Sequence, residues 1–234
     1  MCGIAGVCSL GSDQSTSLDT LMRMIGTIKH RGPDQTGIYI DDNVGLAHAR
    51  LSIIDLSSGV QPICNEDRSL WIVYNGEVFN YRELAGELTK LGHKFYTTSD
   101  TEVVLHMYEE YGSQCLSRLN GQFAFAIWDS KNRSLFAARD RVGIRPFYYC
   151  VSGGKFFFSS EIKSLFQAET IQRKFSPKAL DQIFTFWTTL PGETVFEGIK
   201  ELKPGHFMQI ENGKASINQY WGIPYAEESE KINM

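Results

Sequence analysis

Short apolar runs separated by turn residues dominate this chain, and only a few segments repeat their apolar residues with a helical period. Gly, Asn, Asp or Ser bound the runs, which is typical of strands. The pattern predicts strands at residues 2–8, 37–40, 44–49, 70–74, 123–129, 134–139, 146–150 and 155–159. Because several of these runs are apolar throughout, we expect the sheets to be covered on both faces.

Apolar residues spaced three and four positions apart predict amphipathic helices at residues 18–29, 81–91, 101–111 and 177–184. The third helix follows Ser99 and Asp100, whose side chains can accept hydrogen bonds from a first turn, and Gly112 is typical of its end. Each apolar stripe needs a sheet to cover it. The pattern stops after Trp221, so we expect one domain at residues 1–222 and a polar linker or frayed tail at 223–234.

Composition narrows the class of protein. The 234 residues are 42% hydrophobic, enough to bury a large core, and 23 basic against 27 acidic residues give a formal net charge of −4. No basic run indicates a nucleic-acid partner. The longest wholly apolar stretch, residues 123–128, is far shorter than the roughly 20 residues that span a bilayer, and the amino terminus lacks a secretory signal pattern. We therefore expect no membrane association and a cytoplasmic location.

The cysteines and histidines are scattered along the chain. The odd number of cysteines, five without a C-x-x-C pair, argues against a disulfide framework. The five histidines show no H-x-x-x-H or H-E-x-x-H spacing that would place two ligands on one helical face. The spacing therefore predicts no metal site. It does not exclude a metal site that is built from residues distant in the sequence.

Cys2 carries the most chemical information. Removal of Met1 would make it the first residue, with a thiol and a free α-amine on one residue. An α-amine titrates near pH 8, so part of it is neutral at physiological pH and can accept the thiol proton. Cys2 could then act as a nucleophile with its own base. The alternative for an isolated cysteine at this position is a buried strand residue.

The motifs that follow Cys2 decide between these alternatives. The chain carries Met-Cys-Gly-Ile-Ala-Gly-Val at 1–7, His-Arg-Gly-Pro-Asp at 30–34, Leu-Ala-His-Ala-Arg-Leu-Ser-Ile-Ile-Asp at 46–55, Gln-Pro at 61–62, Tyr-Asn-Gly-Glu-Val-Phe-Asn at 74–80, Ser-Asp-Thr-Glu-Val at 99–103, Gly-Gln-Phe-Ala-Phe-Ala at 121–126, Arg-Asp-Arg-Val-Gly-Ile-Arg-Pro at 139–146 and Ser-Ser-Glu-Ile-Lys at 159–163. In this order they resemble class II glutamine amidotransferases, which are N-terminal nucleophile hydrolases. The resemblance is closest to the glutaminase domain of glutamine-dependent asparagine synthetases and covers nearly the whole chain.

The resemblance implies an α+β fold, a four-layer αββα sandwich of two antiparallel sheets with helices outside. It implies that residues 1–222 are the glutaminase domain and that Cys2 attacks the side-chain amide of glutamine. Asn75 and Gly76 resemble the oxyanion hole, through the side-chain amide of Asn75 and the backbone N–H of Gly76. The alternative for an isolated Asn-Gly pair is a hairpin turn.

By the same resemblance Arg50 binds the α-carboxylate of glutamine and Asp100 its α-ammonium. The alternatives are a surface salt bridge for Arg50 and a helix N-cap for Asp100. The loop beside the nucleophile would be shaped by Arg31, Gly32 and Asp34. The remaining substrate-binding residues implied are Leu51, Ile53 and Glu77.

The resemblance implies hydrolysis of L-glutamine to glutamate and ammonia. In the family, a synthetase domain uses the ammonia with ATP and Mg²⁺ to convert aspartate to asparagine. This chain lacks the S-G-G-x-D-S pattern of that domain, and Ser-Gly-Gly-Lys at 152–155 is better explained as a turn between strands than as a phosphate loop. We therefore expect no cofactor in this chain, and a synthetase domain or separate synthetase subunit as partner; a homodimer is left open.

Two other functions stay open at this point. A non-catalytic domain could keep the fold to sense glutamine or dock on a synthetase, since a retained Met1 would block the amine of Cys2. A glutaminase could also serve another acceptor such as a sugar phosphate, as in glucosamine-phosphate synthase or phosphoribosyl amidotransferase. The motifs at residues 30–34 and 50–55 favour the asparagine synthetase branch.

Overall fold

The apolar runs form strands in the computed structural model, which describes residues 1–11, 16–52, 55 and 59–223. Its strands are β1 (Gly3–Ser9), β2 (Gln35–Ile40), β3 (Val44–Arg50), β4 (Ile63–Cys64), β5 (Leu70–Val78), β6 (Gly121–Asp129), β7 (Ser134–Arg139), β8 (Tyr148–Ser152), β9 (Lys155–Ser159), β10 (Lys200–Glu201), β11 (His206–Glu211) and β12 (Lys214–Gln219). The helices are α1 (Leu18–Thr27), α2 (Tyr81–Leu91), α3 (Asp100–Tyr111), α4 (Cys115–Arg118), α5 (Ile162–Leu165) and α6 (Pro177–Phe186), with 3₁₀ turns at Lys29–Arg31 and Gly112–Gln114.

The strands form two six-stranded sheets. The first has the order β10-β8-β9-β1-β3-β2 and the second β12-β11-β7-β6-β5-β4. Neighbouring strands are antiparallel in both sheets. The two sheets share a buried core of side chains from both, including Ile4, Leu46, Val73, Trp128 and Phe158. The central strands β1, β3, β6 and β7 are buried along nearly their whole length, so they are covered on both faces.

The helices supply the two outer layers. The apolar faces of α2 and α3 pack on the second sheet, where Leu88 and Val104 are fully buried. Helix α1 covers the first sheet together with α5, and Leu21 and Leu165 lie in that core. The structure thus confirms the predicted four-layer sandwich.

The predicted elements differ from the structure where the apolar pattern is weak. Every residue of β12 is exposed, so this edge strand has no buried apolar face from which it could be predicted. The two-residue strands β4 and β10 are too short for any pattern. The predicted linker or tail at 223–234 lies, except for residue 223, outside the described residues. No helix in the described part of the chain is long and apolar enough to cross a membrane.

Candidate active site

A small cavity of about 90 Å³ lies beside Cys2, where β3 and β5 of the two sheets face each other. Seven of the eight predicted site residues line it: Cys2, Arg50, Leu51, Asn75, Gly76, Glu77 and Asp100. The eighth, Ile53, lies outside the described residues. Met1 also lines the cavity and is about half exposed. The structure therefore brings together residues from four separate motifs of the sequence.

Backbone contacts hold Cys2 at the start of β1. The N–H of Leu51 donates to its Sγ at 3.4 Å, and Sγ lies 3.6 Å from the carbonyl oxygen of Leu51. Burial raises the pKa of the Cys2 thiol, while the Leu51 hydrogen bond, the amino terminus, Arg50 and Arg145 act in the opposite direction. In this state the thiol needs a nearby base to become a nucleophile.

Arg31 fixes the backbone of Cys2. Its Nε donates to the carbonyl oxygen of Cys2 at 3.0 Å, and its Nη1 donates to Oε1 of Glu161 at 3.1 Å. Gly32 fits beside it because a Cβ there would lie 2.1 Å from the carbonyl oxygen of Ala49. Asp34 accepts a hydrogen bond from the N–H of Ser52 at 2.7 Å. These contacts match the loop-shaping role expected of the 31–34 segment.

Asn75 presents a buried donor to the cavity. The residue is 1% exposed, and no described residue accepts a hydrogen bond from its Nδ2. Buried donors in native proteins nearly always have a partner, and each exception calls for an explanation. A bound ligand with an acceptor oxygen would supply one.

The edge of β5 is open beside Asn75. Strand β4 pairs only with Trp71 and Ile72, and beyond it side chains replace a neighbouring strand. The N–H of Tyr74 donates to Oε1 of Gln61 at 2.7 Å, and the N–H of Val78 donates to Oδ2 of Asp100 at 3.0 Å. Because the N–H groups of alternate residues point to the same side of a strand, the N–H of Gly76 faces this open edge as well.

The Asn75-Gly76 pair lies inside β5, so the alternative of a hairpin turn is wrong. Gly76 pairs with Phe123 of β6. A Cβ at Gly76 would lie 2.4 Å from the carbonyl oxygen of Gln122 and 2.8 Å from Cα of Phe123. The strand can therefore pair closely with β6 here only because residue 76 has no side chain.

His48 holds the peptide that precedes Asn75. Its ring is fully buried, its Nε2 lies 3.1 Å from the carbonyl oxygen of Tyr74, and its Nδ1 has no partner among the described residues. Burial lowers its pKa to about 3, and Arg50 adds to this effect. The ring is therefore neutral near pH 7, with the proton on Nε2, where it donates to Tyr74.

Asp100 is the first residue of α3 and is almost fully buried. Its Oδ2 accepts hydrogen bonds from the hydroxyl of Tyr74 at 2.8 Å and from the N–H of Val78. Burial raises the pKa of Asp100, although these two hydrogen bonds act in the opposite direction. The helix is capped by Ser99, which accepts from the N–H of Thr101, so the alternative of Asp100 as the N-cap is wrong.

Two guanidinium groups line the cavity. Nη1 of Arg50 donates to Oε1 of Gln35 at 2.9 Å and Nη2 to the carbonyl oxygen of Asp55, so Arg50 is held in place rather than paired at the surface. Arg145 is the second. Its loop is built on the carboxylate of Asp140, which accepts from the backbone N–H of Arg145 at 3.0 Å. Both side chains bring positive charge to the cavity wall.

The sequence reasoning assigned no role to His48, Gln61 or Arg145. All three lie in motifs quoted for the resemblance, at 46–55, 61–62 and 139–146, which is the signal that could have found them. His48 and Gln61 act through backbone atoms of Tyr74, a contact between distant segments that is visible only in the folded chain.

Comparisons with known proteins identify the family of this chain. A sequence profile of the glutamine amidotransferase domain matches residues 1–221, which include every residue that lines the cavity. The chain belongs to the class II glutamine amidotransferase family. The amidotransferase domain is 40% identical to asparagine synthetase [glutamine-hydrolyzing] 3 of Bacillus subtilis, over 99% of this chain and 38% of the relative. It is 37% identical to amidase chry2 of Gibberella zeae, over 99% of this chain and 36% of the relative.

The amidotransferase domain spans less than two fifths of the length of both these relatives. Among solved structures, glutamine phosphoribosylpyrophosphate amidotransferase of B. subtilis superposes with a TM-score of 0.68 over 94% of this chain and 49% of that chain. At 20% identity this similarity supports the fold alone.

Proposed function

We propose that this amidotransferase domain hydrolyses L-glutamine to glutamate and ammonia, with Cys2 as the nucleophile. The observation that carries the proposal is the buried, unpartnered Nδ2 of Asn75 in the same cavity as the thiol. An oxyanion that forms during attack on an amide would give this donor its missing partner.

Removal of Met1 is the first requirement. It frees the α-amine of Cys2, which titrates near pH 8 and can take the thiol proton directly or through water. Met1 also lines the cavity, so its removal makes room for substrate. One processing step thus supplies both the base and the space.

The thiolate of Cys2 then attacks the side-chain carbonyl carbon of glutamine. Negative charge develops on the carbonyl oxygen, where Nδ2 of Asn75 and the N–H of Gly76 donate. The carbon–nitrogen bond breaks as the α-ammonium of Cys2 gives its proton to the departing nitrogen, which leaves as ammonia. Water next attacks the γ-glutamyl thioester, and this step releases glutamate and restores the thiol.

Charge complementarity would orient the substrate. The two guanidinium groups, Arg50 and Arg145, suit the α-carboxylate, and Oδ1 of Asp100 suits the α-ammonium. Oδ2 of Asp100 already accepts two hydrogen bonds, from Tyr74 and Val78, so the carboxylate is fixed before substrate binds. The assignments of Leu51, Ile53 and Glu77 to the glutamine pocket follow the family resemblance.

The test is an assay of glutamate release on protein whose intact mass is known. We expect the wild-type mass to lack Met1 and the protein to release glutamate, and we expect Cys2→Ala to release none. Cys64→Ala is the matched control, because Cys64 is the other partly exposed cysteine and lies outside the cavity. Processed wild-type protein that releases no glutamate would contradict hydrolysis by this domain.

The rival is a domain that binds glutamine without hydrolysing it, because a retained Met1 would acylate the α-amine of Cys2 and remove the base. Its signature would be a mass that retains Met1, together with glutamine binding in calorimetry and no glutamate release. Loss of Met1 with activity that depends on Cys2 would exclude it.

We propose further that the ammonia serves ATP-dependent amidation of aspartate to asparagine in a synthetase domain or subunit. The name and greater length of the B. subtilis relative support this acceptor, and ATP and Mg²⁺ would bind that second unit. The Gibberella relative bears another name at nearly the same identity, so the product has to be measured. Asparagine formed from glutamine, aspartate and ATP by the domain joined to the synthetase part would support the proposal; ammonia release without asparagine would contradict it.

A surface at the end of α6 fits such a partner. Phe184 is 86% exposed and Trp187 is 93% exposed, with Phe186 beside them. Clusters of exposed aromatic residues commonly mark interaction surfaces. We expect Trp187→Ser to weaken binding of the synthetase part without slowing glutamate release by the domain alone, whereas Val151→Ser, at an exposed apolar position elsewhere, should change neither.

A further inference from the structure

Two histidines and two glutamates meet on the outer side of the second sheet, away from the cavity. Glu66 lies in the turn between β4 and β5, His93 follows α2, and His106 and Glu109 lie one turn apart on α3. One nitrogen or oxygen from each lies within 4.8 Å of those of the other three. We call these four residues the His–Glu cluster.

The spacing of these atoms suits a small cation. His93 Nδ1 lies 3.9 Å from Glu66 Oε1 and 3.7 Å from Glu109 Oε2. His106 Nδ1 lies 3.7 Å from Glu66 Oε2 and 3.0 Å from Glu109 Oε2. In a tetrahedral zinc site with bonds of 2.0–2.1 Å, neighbouring ligand atoms are about 3.3–3.4 Å apart. The four ligand atoms lie within 4.8 Å of one another, so the most widely separated would have to approach by up to about 1.4 Å to reach that geometry.

Hydrogen bonds from neighbouring residues orient three of the four side chains. His93 Nε2 lies 3.2 Å from Glu110 Oε2. Glu109 Oε1 accepts from Nδ2 of Asn65 at 2.9 Å, and Glu66 Oε1 accepts from the backbone N–H of Lys94 at 2.8 Å. Metal-binding histidines usually donate their second ring nitrogen to a carboxylate or carbonyl group, and metal-binding carboxylates are themselves hydrogen-bonded.

His106 shows a polar atom that the protein itself leaves unsatisfied. The ring is fully buried, and its Nε2 has no hydrogen-bond partner among the described residues, since the nearest carboxylate, Glu102 Oε1, is 3.7 Å away. A metal on Nδ1 would place the ring proton on Nε2, facing Glu102, as in the carboxylate–histidine–metal arrangement.

The electrostatics of the cluster favour a cation. Carboxylate oxygens of Glu66, Glu102 and Glu109 lie 3.7, 3.7 and 3.0 Å from the ring nitrogens of His106. Three carboxylates around one buried ring concentrate negative charge, which favours a bound cation.

We propose that Glu66, His93, His106 and Glu109 bind a zinc ion that joins the β4–β5 turn to helices α2 and α3. Two imidazole nitrogens and two carboxylate oxygens suit zinc, whereas Mg²⁺ and Ca²⁺ prefer oxygen alone. Since the protein supplies four ligands, the ion is structural, with no open position for catalysis. The site is separate from the proposed glutaminase chemistry and can be tested without it.

The experiment measures zinc bound by the full chain, by calorimetry with ZnCl₂ and by elemental analysis after dialysis. We expect one zinc per wild-type chain, unaffected by excess Mg²⁺, and loss of at least tenfold in affinity for His93→Ala. His206→Ala is the matched control, because His206 lies on β11 and its Nδ1 contacts the carbonyl oxygen of Pro204, so this variant should bind as wild type does. Circular dichroism confirms that each variant is folded.

Glu110→Gln tests the outer contact and keeps the size of the side chain. We expect it to weaken zinc binding about 10- to 100-fold. Cobalt(II) in place of zinc should give the intense visible absorption of a four-coordinate ion in wild-type protein, and His93→Ala should lose it. Wild-type protein that takes up no zinc overturns the proposal. So does a folded His93→Ala, or a folded Glu66→Gln, that keeps wild-type affinity.

Discussion

The cavity beside Cys2 and the His–Glu cluster each have an asparagine that is 1% exposed and a fully buried histidine within them or directly behind them. These residues are Asn75 and His48 at the cavity, and Asn65 and His106 at the cluster. In the cavity, Nδ2 of Asn75 has no partner among the described residues. At the cluster, Asn65 uses its whole amide: Nδ2 donates to Ser69 Oγ and Glu109 Oε1, and Oδ1 accepts from the N–H of Leu70. The same residue type at the same burial is thus unsatisfied in one region and satisfied in the other.

The histidines differ in the same way. Burial lowers the pKa of His48 to about 3, since no carboxylate faces it and Arg50 is its charged neighbour. His106 is equally buried, but three carboxylates raise its pKa to about 9. Burial alone therefore does not decide the state of a polar group; the charges around it do. The cavity keeps donors ready for a ligand, with the neutral ring of His48 holding the peptide behind them, and the cluster concentrates negative charge.

Asn75→Ala should give the largest effect on function. Loss of one oxyanion donor lowers kcat by about 10²- to 10³-fold, or about 2.7–4 kcal/mol in the barrier. Because Nδ2 makes no hydrogen bond in the described structure, the loss of stability should be much smaller. Glutamate release and urea denaturation of the same preparation measure the two quantities. A variant that loses stability but keeps wild-type kcat would remove Asn75 from the oxyanion site.

Asn65→Ala should have the reverse effect: it should lower stability and leave kcat nearly unchanged. The substitution breaks three hydrogen bonds, and leaving buried partners unsatisfied lowers the free energy of unfolding by about 1–3 kcal/mol. Since Asn65 does not line the cavity, kcat for glutamine should stay within about twofold of wild type. Urea denaturation measures the free energy of unfolding, and the glutamate assay measures kcat. If the two alanine variants lost the same property, the contrast between the regions would be wrong.

These two regions also differ in how well the sequence predicts them. The cavity is assembled from short motifs, so Cys2, Arg50 and Asp100 could be assigned by resemblance, and the structure places them together. The His–Glu cluster combines single residues from three segments with no common spacing. A pattern search looks for ligands on one helical face, and only His106 and Glu109 satisfy that condition.

The preference of a short sequence for a turn or a strand does not predict the structure where pairing between strands decides it. An Asn-Gly pair favours a turn, yet β5 continues through Asn75 and Gly76 because it pairs with β6 along its whole length, from Leu70 to Val78. The exposed strand β12 could not be predicted from the sequence. Its hydrogen bonds to β11 hold it in place, and a pattern of apolar residues does not record backbone hydrogen bonds. The four layers were predictable because they depend on buried apolar faces, which the sequence does display.

A third difference between the regions is the pH dependence of the stability that His48 contributes. The unfolded chain takes up a proton at His48 below its ordinary pKa of about 6.5, whereas the folded protein takes it up only near pH 3, because burial and Arg50 oppose the charge. The stability that this group contributes is therefore present above pH 6.5 and is lost as the pH falls towards 3. Between pH 7 and pH 5 the loss is about 2 kcal/mol.

His48→Gln should remove this dependence, since glutamine does not titrate and its amide can still donate to the carbonyl oxygen of Tyr74. Urea denaturation of both proteins at pH 7 and pH 5 gives the difference, in which groups common to both cancel. An equal loss of stability in wild type and variant would mean that folded His48 titrates near its ordinary pKa. The ring could not then be a fixed neutral donor to the peptide before Asn75, and the difference between the two buried histidines would disappear.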